Sequence, residues 1–128
     1  NKSAEIKPDM EKFSIRKRLK SFTYAGKGIK SFITREHNAW IHSVATVIVI
    51  FLGFYFRIST GEWAILCICI GMVFAAEAFN TAIERLVNLV SPEQNKIAGD
   101  VKDIAAGAVL ICAIASAIAG LLIFIPKL

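Results

Sequence analysis

Two carboxylates and an amide interrupt an apolar stretch: Glu77-Ala78-Phe79-Asn80-Thr81-Ala82-Ile83-Glu84 closes a run that begins at Trp63. On an α-helix, positions i, i+3, i+4 and i+7 share a face, so Glu77, Asn80, Thr81 and Glu84 form one polar stripe on a helix otherwise suited to lipid. A charged side chain inside a membrane costs roughly 2.5–3.5 kcal/mol on insertion scales, and residues kept at that cost mark a site. Counting from Trp63 at about 1.5 Å per residue, Glu77 lies about 21 Å into a hydrocarbon core of roughly 30 Å, and Glu84 about 10 Å further along. One carboxylate addresses something held at the edge of the lipid, the other something in water. Such a pair suits chemistry that joins a lipid to a soluble reagent, with Glu77, in the lower dielectric, as the better proton acceptor.

The elements that must position this stripe follow from hydropathy. The chain of 128 residues is 55% apolar and only 20% charged, which points to one small integral membrane domain. Three long apolar segments give spans over about 37–56, 62–90 and 101–125, the second polar on one side. Before them, Ile15, Leu19, Phe22, Ala25, Ile29 and Phe32 recur at three- and four-residue steps among Arg16, Lys17, Lys20, Lys27 and Lys30. This pattern predicts an amphipathic basic helix over 13–35, lying on the membrane surface, with Gly26 or Gly28 as a candidate break. Residues 1–12 read as a mobile tail.

The formal charge of +5 does not mean nucleic acid, because ten of the 15 Lys and Arg residues precede the first span. That asymmetry places the amino terminus and the second inter-span loop in the cytoplasm and the carboxyl terminus outside. Trp40 and Trp63 suit the interfacial belts, and Arg57 marks the outer end of the first span. Cys67, Cys69 and Cys112 all fall in apolar spans, where a thiol behaves as a small hydrophobe, so no disulfide or metal site is implied. The first apolar run comes late and is long enough to stay as an anchor, so it reads as a span and not as a cleavable signal.

Two apparent motifs fail on spacing. Gly26-Lys27-Gly28-Ile29-Lys30-Ser31 lacks the glycine immediately before lysine-serine that a phosphate loop requires, and His37 and His42 are five apart where a zinc-protease helix needs four. Ser91-Pro92-Glu93-Gln94 reads as a helix restart capped by Ser91, and Asp100 as the N-cap of the third span. Glu36 has two readings: an ion pair with Arg35 or Lys30, or a metal ligand facing Glu84. Glu36, Asn80, Glu84, Lys102 and Asp103 gather acids, an amide and a cation at one depth, a setting for magnesium with nucleotide phosphates and for in-line phosphoryl transfer. A rival of another class is a proton or ion conductor using Glu77 as a buried carrier.

Four stretches carry a resemblance: Ser21-Phe22-x-Tyr24-Ala25-x-Lys27-Gly28-Ile29, Glu36-x-Asn38-x-x-Ile41-His42, Glu77-x-x-Asn80-Thr81-Ala82-Ile83-Glu84, and Lys102-Asp103. In this order and spacing the chain resembles the small bacterial membrane kinases of the diacylglycerol kinase and undecaprenol kinase family. The resemblance implies an all-α homotrimer of three-span protomers in the bacterial cytoplasmic membrane, passing the ATP γ-phosphate to a lipid alcohol. It makes Glu77 the catalytic base and Glu36 and Glu84 the magnesium ligands. It assigns Asn80, Lys102 and Asp103 to the phosphate and nucleotide pocket, and Lys17, Tyr24, Glu93 and Asn95 to ATP contacts. Lys17 stands where arginine is common, with Arg18 as the alternative; Asn88 stands where the family often has aspartate. His42 looks more like the undecaprenol kinase branch.

Overall fold

A computed structural model describes residues 13–128; the tail expected over 1–12 lies outside them. The described chain is all helical: α1 (Ile15–Arg35), α2 (His37–Tyr55), α3 (Thr60–Val90) and α4 (Lys96–Phe124), closed by a 3-10 turn at Ile125–Lys127. The helix α2, the helix α3 and the segment Lys96–Lys127 are each long and apolar enough to cross a membrane.

The helix boundaries have local causes. Ser14 caps α1 by accepting from the Lys17 backbone N–H at 3.4 Å, and the helix runs unbroken through Gly26 and Gly28. It stops because Glu36 is extended, with φ −112° and ψ 123°, and a single residue therefore separates α1 from α2. The helix α2 ends in a Schellman motif, with Arg57 N–H bonded to the Phe54 carbonyl at 3.3 Å and Ile58 N–H to that of Gly53 at 3.2 Å. This motif needs a left-handed residue, and Arg57 supplies it at φ 50°, where glycine is the usual occupant. Ser59 and Glu62 then start α3 with a reciprocal capping box.

The start of the last helix differs from the sequence expectation. Residues 91–95 are not helical, and Asn95, whose Oδ1 accepts from Ala98 N–H at 2.8 Å, is the N-cap. Neither Ser91 nor Asp100 is an N-cap here; Ser91 instead closes α3, its backbone N–H bonded to the Val87 carbonyl at 2.7 Å. The Ser91 hydroxyl is occupied inside the turn, donating to the Glu93 carbonyl at 3.1 Å and accepting from Asn95 Nδ2 at 2.6 Å. With Asn95 capping, Asp100 falls in the second turn of α4 and the third long helix begins five residues before 101.

Helices α3 and α4 pack along most of their length, α2 meets α3 over a shorter stretch, and α1 touches α2 and α3 only lightly. The apolar core, Ile58, Leu66 and Ile123 with Val49, Phe56, Trp63 and Phe124, lies at the α2–α3 turn. Trp63 is half-buried there, 4.8 Å from the Phe54 ring and against the bare Cα of Gly53, so it packs inside the fold as well as facing outward. Lys127 donates to Glu62 at 2.8 Å and ties the end of the chain to the start of α3.

Candidate active site

Beyond that core, near the middle of its length, α3 carries the buried polar residues. Glu77, Asn80 and Thr81 are only 4%, 7% and 6% exposed, and they are the buried polar side chains among the described residues. The helical spacing read from the sequence is thus realised as one face of α3, turned inward. Burial of a carboxylate and an amide in apolar surroundings is costly without partners. Glu77 has one: His42, reaching from α2, sits with Nε2 2.9 Å from its Oε1. Asn80 donates from Nδ2 to Glu84 Oε1 at 3.2 Å, one turn further along. Its Oδ1 is buried and has no partner.

Beyond Glu84 the stripe meets the other elements. Arg85 donates from Nη2 to Glu36 Oε1 at 3.2 Å and from Nη1 to Ser31 Oγ at 3.4 Å, binding the α1–α2 break to α3. The partner of Glu36 is therefore Arg85, and not Arg35 or Lys30. One more turn on, Lys102 of α4 donates from Nζ to Asn88 Oδ1 at 2.6 Å. Asn88, Glu93, Asn95, Lys96 and Lys102 line a polar cavity of about 590 Å³ around the α3–α4 turn. From Glu77 to Asn88 the stripe covers about 16 Å of helix at 1.5 Å per residue.

The structure thus joins Glu77, Asn80 and Glu84 on one face, sets Glu36 beside that face, and gathers Glu93, Asn95 and Lys102 at its far end. It leaves the others apart. Asp103 is exposed. Tyr24 is also exposed, its ring 5.9 Å from the Lys27 ammonium, and Lys17 lies about 21 Å along α1 from the docked Ser31. Asn95 has a structural task as the cap of α4. Among the described residues, no three His, Cys, Asp or Glu side chains gather as a metal site.

Sequence reasoning used His42 only as a mark of the family branch and gave neither it nor Arg85 a place in the site. An antiparallel register could have found them: six residues along α2 from Glu36 lead to His42, and eight residues back along α3 from Arg85 lead to Glu77.

An apolar groove of about 580 Å³ runs between α2, α3 and α4, its lining extending from His42, beside Glu77, to Phe124 near the core. A buried carboxylate bonded to the histidine at one end of a hydrocarbon-lined groove, and continued by amides, cations and a second carboxylate, can serve a lipid and a phosphorylated reagent at once.

Comparison with known proteins agrees in kind. The family model for prokaryotic diacylglycerol kinase matches residues 23–124. The undecaprenol kinase of Bacillus subtilis is 44% identical over 110 residues, covering 86% of this chain and 89% of that protein. A diacylglycerol kinase of Synechocystis is 35% identical over 111 residues, covering 86% of this chain and 63% of its own length. The match spans every helix that builds the stripe and the groove, and the chain belongs to the prokaryotic diacylglycerol kinase family.

Proposed function

We propose that the protein transfers the γ-phosphate of ATP to the hydroxyl of a lipid alcohol at the cytoplasmic face of the bacterial inner membrane. The observation that carries this reading is the inward face of α3, where buried Glu77 is bonded to His42, a residue lining the apolar groove, and Glu84 and Asn88 lead to the polar cavity. Of the two lipid alcohols, undecaprenol is favoured over diacylglycerol, on the higher identity to an undecaprenol kinase.

In this mechanism the lipid hydroxyl reaches Glu77, which takes its proton as the oxygen attacks the γ-phosphorus in line; ADP leaves as the new phosphate ester forms. The residues present fit magnesium. Glu84 has a carboxylate oxygen beyond the one bonded to Asn80, and the unpartnered Oδ1 of Asn80 suits a cation or a bound donor. Glu36 and Glu84 would hold the ion, which supplies charge neutralisation on the phosphates. Asn80, Glu93, Asn95, Lys102 and Asp103 would position the nucleotide. Lys17 and Tyr24 would come from a neighbouring copy in a homotrimer, since α1 carries them away from the stripe of its own chain. On this reading α1 lies on the inner membrane surface with its basic residues in water, and the carboxyl terminus faces outward.

The test is incubation of the purified protein in micelles with γ-labelled ATP, magnesium and either undecaprenol or diacylglycerol. Label in lipid phosphate, greater with undecaprenol, is expected. No labelled lipid from either alcohol would overturn the proposal.

A further inference from the structure

The groove presents little polarity to a lipid inside it. Its two hydroxyls are both turned onto backbone: Thr46 Oγ1 donates to the His42 carbonyl at 2.7 Å, and Ser116 Oγ to the Cys69 carbonyl at 3.5 Å. The imidazole of His42, half-buried and edge-on to Phe74 at 6.4 Å between ring centres, is what the groove offers a hydroxyl before Glu77. Its Nε2 is already committed to Glu77 Oε1 at 2.9 Å. A carboxylate acting as a base only accepts hydrogen bonds, so the imidazole must donate through Nε2–H. This fixes one oxygen of Glu77 and leaves the other to meet the incoming hydroxyl.

We propose that His42 is a positioning residue: it holds Glu77 Oε1 so that Oε2 faces the lipid hydroxyl arriving through the groove. The inference rests on the reading of Glu77 as the base and adds a residue that acts through it. A buried carboxylate with two free torsions beyond Cβ has several rotamers, and only one directs an oxygen at the substrate. Restricting it to that one raises the rate without touching nucleotide binding.

The test compares kcat and KM of the full-length protein in micelles for the parent, His42→Leu, His42→Gln and Glu77→Gln. Leucine keeps volume and seals the groove but donates nothing; glutamine carries an amide N–H about as far out as Nε2. His42→Leu is expected to lose roughly 10- to 100-fold in kcat, the range seen when an orienting partner of an active-site group is removed, with KM for ATP unchanged. His42→Gln should return to within about threefold of the parent. A His42→Leu variant at the parental kcat, or a His42→Gln variant as slow as His42→Leu, would overturn the positioning role. If His42→Leu does not fold, His42→Asn, whose shorter amide cannot reach Oε1, takes its place against His42→Gln with the same two outcomes. Glu77→Gln separates the two levels. Parental activity there removes the base reading, whereas an inactive Glu77→Gln beside a fully active His42→Leu removes only the positioning role.

Discussion

At the scale of single residues, the acids of the stripe differ by what holds them. Glu84 is half-buried and shares one oxygen with an amide, so removing its charge takes a ligand from any bound cation while leaving the Asn80 contact able to form. Glu84→Gln is predicted to raise the magnesium concentration for half-maximal activity about 10-fold or more, read by metal titration at saturating ATP. A parental magnesium dependence would remove the metal role. Glu36 is different, because its side chain is 29% exposed and already paired with Arg85, itself 48% exposed. Exposed ion pairs contribute about 0–1 kcal/mol, so Arg85→Gln should leave the unfolding free energy within about 1 kcal/mol of the parent. Loss of more than that in a chemical melt would mean that Arg85 is a structural clamp for the α1–α2 break.

At the scale of elements, two contacts decide whether the helices present the stripe correctly. A Cβ added at Gly53 would stand 2.5 Å from Trp63 Cη2, closer than van der Waals contact allows, and the indole is packed between Phe54 and the core. Gly53→Ala should therefore destabilise by about 1–3 kcal/mol, the usual cost of overpacking, seen as a lower melting temperature in micelles. Unchanged melting would show that the indole can move aside. At the other end, Asn95→Ala removes the cap of α4 and should cost about 1 kcal/mol, fraying the first turn, from which Lys102 lies less than two turns on. Parental helicity and melting in that variant would mean that the turn around Ser91 can supply the cap. This cap is also where sequence reasoning failed. Ser91, Asn95 and Asp100 all have capping side chains, and local pattern cannot rank them. The choice depends on the Ser91–Asn95 hydrogen bond and on Lys102 reaching Asn88, contacts set by how α3 and α4 meet.

At the scale of the molecule, the described chain buries little of itself: Phe22, Phe51, Phe54, Leu89, Ile111 and Leu122 are all exposed, as faces turned to lipid or to further copies would be. The three long helices were legible in the sequence because apolar runs of that length match the thickness of a bilayer and exceed what a small water-soluble core can bury. So was the stripe, since Glu77, Asn80, Thr81 and Glu84 recur at helical spacing on one element. Its partners were not, because Glu77–His42 and Glu36–Arg85 join residues 35 and 49 positions apart and depend on the register between helices. On the proposed topology, three crossings would put the ends of the chain on opposite sides, with the basic amino-terminal segment in the cytoplasm. Tags at the two termini, probed in sealed vesicles with an impermeant reagent, should react from opposite sides. Reaction of both from one side would contradict three crossings.

All of this turns on Glu77 as the group that takes the lipid proton. The direct measurement is kcat for phosphate transfer by Glu77→Gln against the parent, with ATP binding measured alongside. An amide of nearly the same size keeps the shape of the site and cannot accept a proton. The expected result is a fall of roughly 10²–10⁴ in kcat, the usual contribution of a general base, with ATP binding unchanged. A variant that phosphorylates its lipid at the parental rate would contradict the assignment.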